Sequence, residues 1–510
     1  MLTRRQSLLG SGALSATSAL WGALLGLVAV PVMIHSLGFT AYGMYGLAFT
    51  IVGFGSYLDF GLGWTTARFV AEADVRRDAA LLSATLRAAI LYQLTVGLLF
   101  VAVVVPSADG IARFLLPSQE QHAATMTAVI RVAACSFLLS SVAGVLISAL
   151  RGTRHFAMAT AASVTGLTLS VGGATTVAGL GYGVVSAAFA QSVGAGAALA
   201  VAFWACRESV SRSDSRISVR SQLRAMLSFS IWNYLNRLGQ LVSSELDKVV
   251  VGRFAGAAYL PFYLVPYGLT QRLNAVTGPA LTAIYPTATV GQYDRTKFLA
   301  QYFSAARAVH VLTASGALAM FFWGPRFLEA WIGPEMAAHG AFFLRAFTVG
   351  FWVLSVGSFD GGCIEGWNHP RATAAIVFIS LAAAIPIAIT LFPIIGAAHA
   401  VAVAVAAWQI STGIGQMLYW QHLSCYPISK LRSFGVPIVE MAFIALGISV
   451  VMGPLVSSHI IIMAVLPAMA LGLGAYGVMR AFPAAERRAL MRRITSRAEL
   501  ENAATTTFSA

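Results

Sequence analysis

Stretches of about 20 apolar residues recur along the whole chain, and no other feature restricts its fold so strongly. As a helix, each stretch is long enough to cross the hydrocarbon core of a bilayer. Only 10% of the 510 residues are charged, whereas soluble domains contain about 25%. We therefore expect an all-α polytopic membrane protein with about 14 transmembrane helices, or spans, at 9–35, 41–66, 85–106, 124–150, 156–179, 183–206, 226–252, 257–286, 301–324, 341–367, 373–394, 396–420, 434–456 and 459–479.

The distribution of basic residues predicts the orientation of these spans. Of the 33 Lys and Arg residues, 24 fall in segments on the same side as the N-terminus, three lie on the opposite side and six lie within spans. Because Lys and Arg concentrate in cytoplasmic loops, both termini are expected in the cytoplasm. The net charge of +14 does not indicate nucleic acid as a partner, since the basic residues are scattered over many loops. The four cysteines have no CxxC spacing, so no metal or other cofactor is expected.

Two pairs of similar segments within the sequence, here termed echoes, indicate an internal duplication. At an offset of 214, the windows that begin at Arg131 and Arg345 share six identical residues over 25 positions. At an offset of 217, AYGMYGL from Ala41 resembles AYLPFYL from Ala258. We expect two pseudo-symmetric six-helix lobes of equal orientation. The predicted parts are an N-terminal lobe at 1–206, a cytoplasmic linker at 207–225, a C-terminal lobe at 226–420, two additional spans in 421–480 and a basic cytoplasmic tail at 481–510.

Polar residues follow one face of span seven and one face of span eight. Their spacing of three and four residues places them on a single stripe of each helix. Such a stripe would be costly against lipid, so it either binds neighbouring helices or lines a water-filled cavity. Its length favours a cavity, and its aromatic and polar groups suit sugar rings and hydrophobic cations alike. The predicted cavity residues are Asn233, Arg237 and Gln240 in span seven, and Tyr263, Tyr267 and Asn274 in span eight.

Two arginines occupy matching positions in the two halves. Arg131 and Arg345 lie in the outer parts of spans four and ten. By the pseudo-symmetry they would face each other across a central cleft, where two guanidinium groups suit a phosphate or a pyrophosphate. The alternative is that both side chains extend to the nearby headgroups. Arg237 lies deeper in the membrane, so it is the stronger candidate for a cation in the cavity.

Carboxylates within the spans raise the question of ion coupling. Asp59 lies near the end of span two, where Gly61 and Gly63 permit a local bend, and it precedes Arg68. Asp59 either couples transport to a proton or another cation, or forms a salt bridge with Arg68 in a cytoplasmic gate. The same alternatives apply to Asp247 and Asp360.

Four motifs are similar to those of a known superfamily. They are HSLGFTAYGMYGLAF and LDFGLGWTTARFVAE in the first half, and LDKVVVGRFAGAAYLPFYLV and AIYPTAT in the second. Over about the first 420 residues, the chain resembles bacterial polysaccharide flippases of the multidrug/oligosaccharidyl-lipid/polysaccharide (MOP) exporter superfamily. The resemblance implies a MATE-like fold, in which two six-span lobes surround a central cleft that opens alternately to either side.

The resemblance also implies a cargo and partners. The expected cargo is an oligosaccharide linked to undecaprenyl pyrophosphate, moved across the bacterial inner membrane for polysaccharide synthesis. Arg237, Arg131 and Arg345 would bind its pyrophosphate. Membrane lipids, a coupling cation such as H⁺ or Na⁺, and other polysaccharide-assembly membrane proteins are the further expected partners.

Three other functions remain as alternatives. The first is an ion-coupled multidrug or cation antiporter of the same superfamily. The second is a lipid II flippase, since fourteen spans also occur in that branch. The third is a membrane-embedded polysaccharide enzyme, but no histidine has an HxxxD spacing and every external loop is short. A transporter without covalent chemistry is therefore expected, rather than an enzyme.

Overall fold

The computed structural model describes residues 8–59, 62–117, 119–211, 218–228, 245–291, 294–426 and 432–482, and the structural statements below concern these residues. Within them the chain is helical, with short turns and no strand. The helices are α1 (Leu8–Tyr57), α2 (Leu62–Arg76), α3 (Ala79–Leu115), α4 (Ala123–Gly152), α5 (Phe156–Leu167), α6 (Gly173–Gly179), α7 (Gly183–Ser211), α8 (219–228), α9 (Asp247–Ala255), α10 (Leu260–Thr270), α11 (Asn274–Gly291), α12 (Arg295–Trp331), α13 (Pro334–Gly366), α14 (Pro370–Ile395), α15 (Ala397–Ser424), α16 (Arg432–Leu455) and α17 (His459–Ala481).

The lengths of these helices confirm a polytopic all-α membrane protein. Eleven helices in the described part of the chain are long and apolar enough to cross a membrane. One of them, α1, contains two helices that meet at Gly38. The eleven are compatible with the fourteen predicted spans, because the predicted seventh span falls largely on residues 229–244, outside the described part, and the eighth corresponds to α10 and α11.

The chain divides into two compact units. Unit 1 consists of 1–265 and 388–401, and unit 2 consists of 266–387 and 402–510. In unit 1, α4 packs against α3, α5 and α7. Leu146 and Leu150 of α4 are buried there among alanines of α5 and α7, and these small side chains allow the helices to approach closely. The lobe and linker boundaries given by the sequence stay a prediction.

Unit 2 contains two apolar clusters that share α12. Tyr302, Phe359 and Trp420 form part of the first cluster, in which α12 packs with α11, α13 and α15. In the second cluster, α16 and α17 pack on α12 around Trp323, whose indole N–H donates to the Ile462 carbonyl at 2.9 Å. The two helices beyond the predicted repeat, α16 and α17, therefore pack against α12 of unit 2.

The backbone repeats its geometry at both sequence echoes. After α4, the His155 N–H donates to the Leu150 carbonyl, and after α13 the His369 N–H donates to the Ile364 carbonyl, again at an offset of 214. In each turn the residue before the histidine has a positive φ angle, 61° at Arg154 and 66° at Asn368. Gly38 and Gly256, which are 218 residues apart, one more than the offset of the second echo, also have similar φ/ψ angles of 79°/165° and 87°/161°. Both echoes therefore mark equivalent turns, as a duplication requires.

One predicted span is interrupted in the structure. The sequence predicts continuous helix over 41–66, whereas α1 ends at Tyr57 and α2 begins at Leu62. The chain turns there through hydrogen bonds from Leu58 N–H to the Gly55 carbonyl and from Leu62 N–H to the Asp59 carbonyl. These bonds connect residues three apart, so the α-helical pattern is lost at Asp59.

Candidate functional site

A cleft of about 460 Å³, here termed the polar cleft for the polar groups it contains, lies within unit 1. It is bounded by the end of α1, the start of α2, the middle of α3 and the second half of α4. Most of its lining surface is apolar and comes from residues such as Val52, Phe137 and Val145. The polar lining residues are Ser56, Asp59, Gln93, Ser140, Ser141, Ser148 and Arg151.

The break between α1 and α2 places Asp59 in this cleft. Its side chain is half-buried, in the turn rather than on a helix, so the carboxylate lies where two helix ends meet. The end of α4 approaches α2 closely, because Gly152 has no Cβ and one there would collide with the Ala67 carbonyl. The helix break and the close approach of α4 to α2 together form one end of the cleft.

One face of α4 supplies the hydroxyl groups. Ser140, Gly144 and Ser148 are spaced by four residues, which places them on one side of the helix, beside Ser141. The hydroxyls of Ser140 and Ser141 donate to the carbonyls three residues earlier, at 3.1 and 3.0 Å. Their oxygens therefore remain acceptors for a ligand in the cleft.

Arg151 gives the cleft a cation that the sequence analysis did not select. It lies in the last turn of α4 and is exposed. In the sequence Arg151 belongs to a loop that carries basic residues and is expected in the cytoplasm. The orientation of the spans therefore accounted for this arginine, and no binding role was assigned to it. The spacing of Ser140, Gly144 and Ser148 was the signal that could have identified this face of α4. Arg68, the predicted partner of Asp59, is exposed on α2 and does not line the cleft.

Asp247 and Tyr263 form a buried pair in unit 1. The Tyr263 hydroxyl donates to Asp247 Oδ2 at 2.6 Å, and the two side chains are 0% and 5% exposed. Beside them, Lys248 and Glu245 form an ion pair at 3.1 Å. Tyr263 is thus enclosed by protein, and its hydroxyl is used by Asp247 instead of lining an open cleft.

Tyr267 and Asn274 lie in unit 2, where both contact α13. The Tyr267 ring is buried at right angles to Phe347 and at a steep angle to Phe351, with centroids 5.3 and 5.2 Å away. Asn274 Oδ1 accepts a hydrogen bond from the Ser355 hydroxyl at 2.6 Å. Both predicted site residues therefore hold α10 and α11 against α13.

Asp360 is buried in an aromatic cluster of unit 2. Its Oδ1 accepts from the Tyr302 hydroxyl at 2.7 Å, and its side chain is 1% exposed. The Tyr302 ring lies near Trp420 and Tyr426, with centroids at 5.4 and 6.2 Å. Burial, with Asp360 as the next cause, raises the pKa of Tyr426 to about 12. This hydroxyl therefore stays protonated at neutral pH.

The two matched arginines are both exposed, one in each unit. Arg131 lies on α4. Arg345 lies on α13 with its guanidinium 5.8 Å from the centre of the Phe321 ring of α12. Their predicted pairing across a cleft stays a prediction. Asn233, Arg237 and Gln240 lie outside the described residues.

In the described part of the chain, no three His, Cys, Asp or Glu side chains are grouped so that they could hold a metal ion. The chemistry available in the unit 1 cleft is therefore that of hydroxyl groups, amides, one guanidinium and one carboxylate. These groups bind polar ligands by hydrogen bonds and charge.

Comparison with known families assigns the chain to one of them. The sequence profile of a family described as "Polysaccharide biosynthesis protein" matches residues 36–335, more than half of the chain. The chain belongs to this family. The match includes the whole lining of the unit 1 cleft, from Val52 to Arg151. A comparison with curated protein sequences found no match.

Solved structures of two MATE transporters of the MOP superfamily and of a lipid II flippase share the fold of this chain. An inward-facing multidrug resistance MATE transporter is 16% identical and has a TM-score of 0.66, with 79% of this chain and 94% of that chain covered. The lipid II flippase MurJ in an inward closed conformation is 13% identical and has a TM-score of 0.68, with 91% and 98% covered. An outward-facing MATE transporter is 17% identical with a TM-score of 0.58, covering 81% and 95%. The predicted MATE-like fold is thereby confirmed.

Proposed function

We propose that this protein is a flippase that moves an oligosaccharide linked to undecaprenyl pyrophosphate across the bacterial inner membrane, for surface polysaccharide or exopolysaccharide synthesis. The observation that carries the proposal is the hydroxyl-lined cleft of unit 1, in a chain of the polysaccharide biosynthesis family. The family and the fold of the chain support a transporter rather than an enzyme, without specifying the cargo.

The lining of the cleft suits a carbohydrate that bears a phosphate. Sugar hydroxyls both donate and accept hydrogen bonds, and the oxygens of Ser140 and Ser141 supply acceptors on one helix. The flat ring of Phe137 borders the same space and can pack on a sugar face. Arg151 at the end of α4 would bind a phosphate oxygen pair through its planar guanidinium.

Further cargo contacts are assigned to residues selected from the sequence. We assign Arg237, Arg131 and Arg345 to the pyrophosphate, and Asn233 and Gln240 to the lining of the transport cavity. The fold supports alternating access as the mechanism, because structures of transporters that share it occur in both inward-facing and outward-facing states. Substituting each of these five residues separately and measuring transport tests the role assigned to it.

The energy for transport would come from a coupling cation. We assign this role first to Asp59, which lies at the helix break in the polar cleft. Asp247 and Asp360 are the second candidates, since each is a buried carboxylate with a tyrosine donor. We further propose that both termini are cytoplasmic and that other polysaccharide-assembly membrane proteins supply and receive the cargo.

The decisive experiment is deletion of the gene followed by extraction of lipid-linked intermediates and a leaflet-accessibility assay. We expect the lipid-linked oligosaccharide to accumulate facing the cytoplasm, with loss of the polysaccharide. Complementation by wild-type protein should restore both, whereas the Arg151→Gln variant should restore little. Normal polysaccharide, together with a changed sensitivity to cationic drugs, would instead assign the protein to the antiporters.

A further inference from the structure

A second cavity in unit 1 lies apart from the polar cleft. It has a volume of about 430 Å³ and is formed by the ends of α2, α3, α4 and α7. Its lining includes Asp74, His155, Arg207 and Glu208, so it contains groups of both charges. No role in the proposed transport cycle has been assigned to any of these four residues.

The basic groups of this cavity are held in fixed places. The Arg207 guanidinium lies 5.1 Å from the centre of the Trp204 ring, one helical turn earlier on α7. His155 Nδ1 lies 2.9 Å from the Thr153 hydroxyl oxygen, and that hydroxyl is within 3.2 Å of the Ala149 and Leu150 carbonyls. Because the Thr153 hydroxyl donates to a carbonyl, it accepts from Nδ1–H, and Nε2 is the ring atom left for a ligand.

The candidate membrane-crossing helix of α7 runs from Gly183 to Val210, so Arg207 and Glu208 lie in its last turn. We expect this end of the helix, and the cavity beside it, to lie at the depth of the lipid headgroups. Large apolar side chains of α7 are exposed along one face that leads to the cavity. They are Phe189, Val193, Phe203 and Trp204, which are 61%, 50%, 50% and 56% exposed. In a bilayer, acyl chains cover this face and bring a headgroup to the cavity.

We propose that this cavity binds the headgroup of a zwitterionic phospholipid of the phosphatidylethanolamine class. Arg207 binds its phosphate, and Glu208, Asp74 and the Nε2 atom of His155 accept hydrogen bonds from its primary ammonium. A headgroup with phosphate alone would meet two carboxylates, and a quaternary ammonium has no N–H to donate to them. The charge pattern therefore selects a headgroup that carries both a phosphate and an N–H cation.

The test is native mass spectrometry of the full-length protein purified with its lipids, then exchanged into mixed micelles. The probes are phosphatidylethanolamine, phosphatidylglycerol, phosphatidylcholine and water-soluble glycerophosphoethanolamine. The variants are Arg207→Gln and Glu208→Gln, both exposed residues whose replacement leaves the helix intact. Arg113→Gln is the matched control, an exposed arginine near the far end of α3.

We expect phosphatidylethanolamine to be retained in preference to the other two lipids. Each of the two variants should lower that retention by about two- to fivefold, as expected for loss of one exposed charge interaction, and the control should not lower it. Equal retention of phosphatidylglycerol with no effect of Glu208→Gln would overturn the proposal, because an anionic attraction would then suffice. Retention of the soluble headgroup without preference for the lipid would overturn the assignment to a phospholipid.

Discussion

Two breaks in otherwise continuous helices can be compared, one between α1 and α2 in unit 1 and one between α10 and α11 in unit 2. Asp59 lies at the first break and Asn274 directly follows the second, at an offset of 215. Ser355 on α13 donates to Asn274, and its counterpart at the offset of 214, Ser141 on α4, lines the same cleft as Asp59. Each half therefore has a carboxylate or an amide, Asp59 or Asn274, in the same region as a serine hydroxyl.

The two halves use these matching groups differently. In unit 2 the Ser355 hydroxyl donates to Asn274 at 2.6 Å, so the pair fastens α11 to α13. In unit 1 the Ser141 hydroxyl donates to the Leu138 carbonyl of its own helix, and Ser141 and Asp59 both line a cleft. We infer that after duplication one half kept the pair as a structural contact, while the other half kept it as part of a binding surface.

The largest effect should come from filling the unit 1 cleft with Gly144→Leu. A Cβ at Gly144 would have no other atom within 4 Å, so the side chain fits and enters the cleft. We expect folding to be retained, since Leu is favoured over Gly in a helix by roughly 1 kcal/mol, and transport to be abolished. Lipid-linked intermediates and the yield of folded protein are the two measurements.

Gly447→Leu is the matched control for this substitution. Gly447 lies on α16, is exposed and also has open space around a Cβ. Its replacement should leave transport unchanged. Wild-type transport in the Gly144→Leu variant would show that the cargo does not occupy the unit 1 cleft, and the comparison of the two halves would lose its functional meaning.

The next effect concerns the cation of the cleft. In Arg151→Gln a hydrogen bond to a charged group is lost, which is worth about 1.5–3 kcal/mol and corresponds to a fall of roughly 10- to 100-fold in transport. Arg154→Gln, three residues later and outside the cleft lining, should have little effect. The measurement is the rate at which cytoplasm-facing intermediates disappear. Equal activity of both variants would remove Arg151 from the site.

The sequence predicts most of the fold because burial in lipid follows directly from apolar length. Predicted spans such as 124–150 and 459–479 differ from α4 and α17 by only a few residues. The duplication was also predictable, since it rests on identical residues at a constant offset. The interruption of the second span was predictable only in part: Gly61 and Gly63 permit a local bend, but apolar length carries no information on where a helix turns.

The candidate site was predicted less completely, for a different physical reason. Asp59 was selected because a carboxylate in a span is costly, and the structure places it in the cleft. Serines cost little in a span and carry no such signal, so Ser140 and Ser148 were missed. Tyr263 and Tyr267 were selected from their helix face, which does not show whether protein or solvent covers that face.

Exchange of the acid and the amide tests the functional difference between the halves. Asp59→Asn gives unit 1 the side-chain amide that unit 2 has at Asn274. We expect transport in this variant to lose its response to an imposed ion gradient. Asn274→Asp keeps an oxygen that accepts from Ser355, so we expect transport in this variant to keep its response to the gradient. Transport driven by proton or sodium gradients in vesicles is the measurement. A gradient response retained in Asp59→Asn would transfer the coupling role to Asp247 or Asp360.

The smallest effects are expected at the two equivalent serines, and they separate a structural contact from a binding surface. Ser355→Ala leaves the Asn274 oxygen without its donor, so we expect a loss of about 1 kcal/mol in stability with transport retained. Ser141→Ala removes a hydroxyl that bonds only within α4 among the contacts described for it, so stability should change by less than about 0.5 kcal/mol. Transport should fall in this second variant, because the cleft loses an acceptor for a sugar hydroxyl. Thermal unfolding in detergent and the leaflet assay measure the two quantities. If Ser141→Ala instead lowers stability as much as Ser355→Ala does, then both serines serve packing and the halves have not diverged at this position.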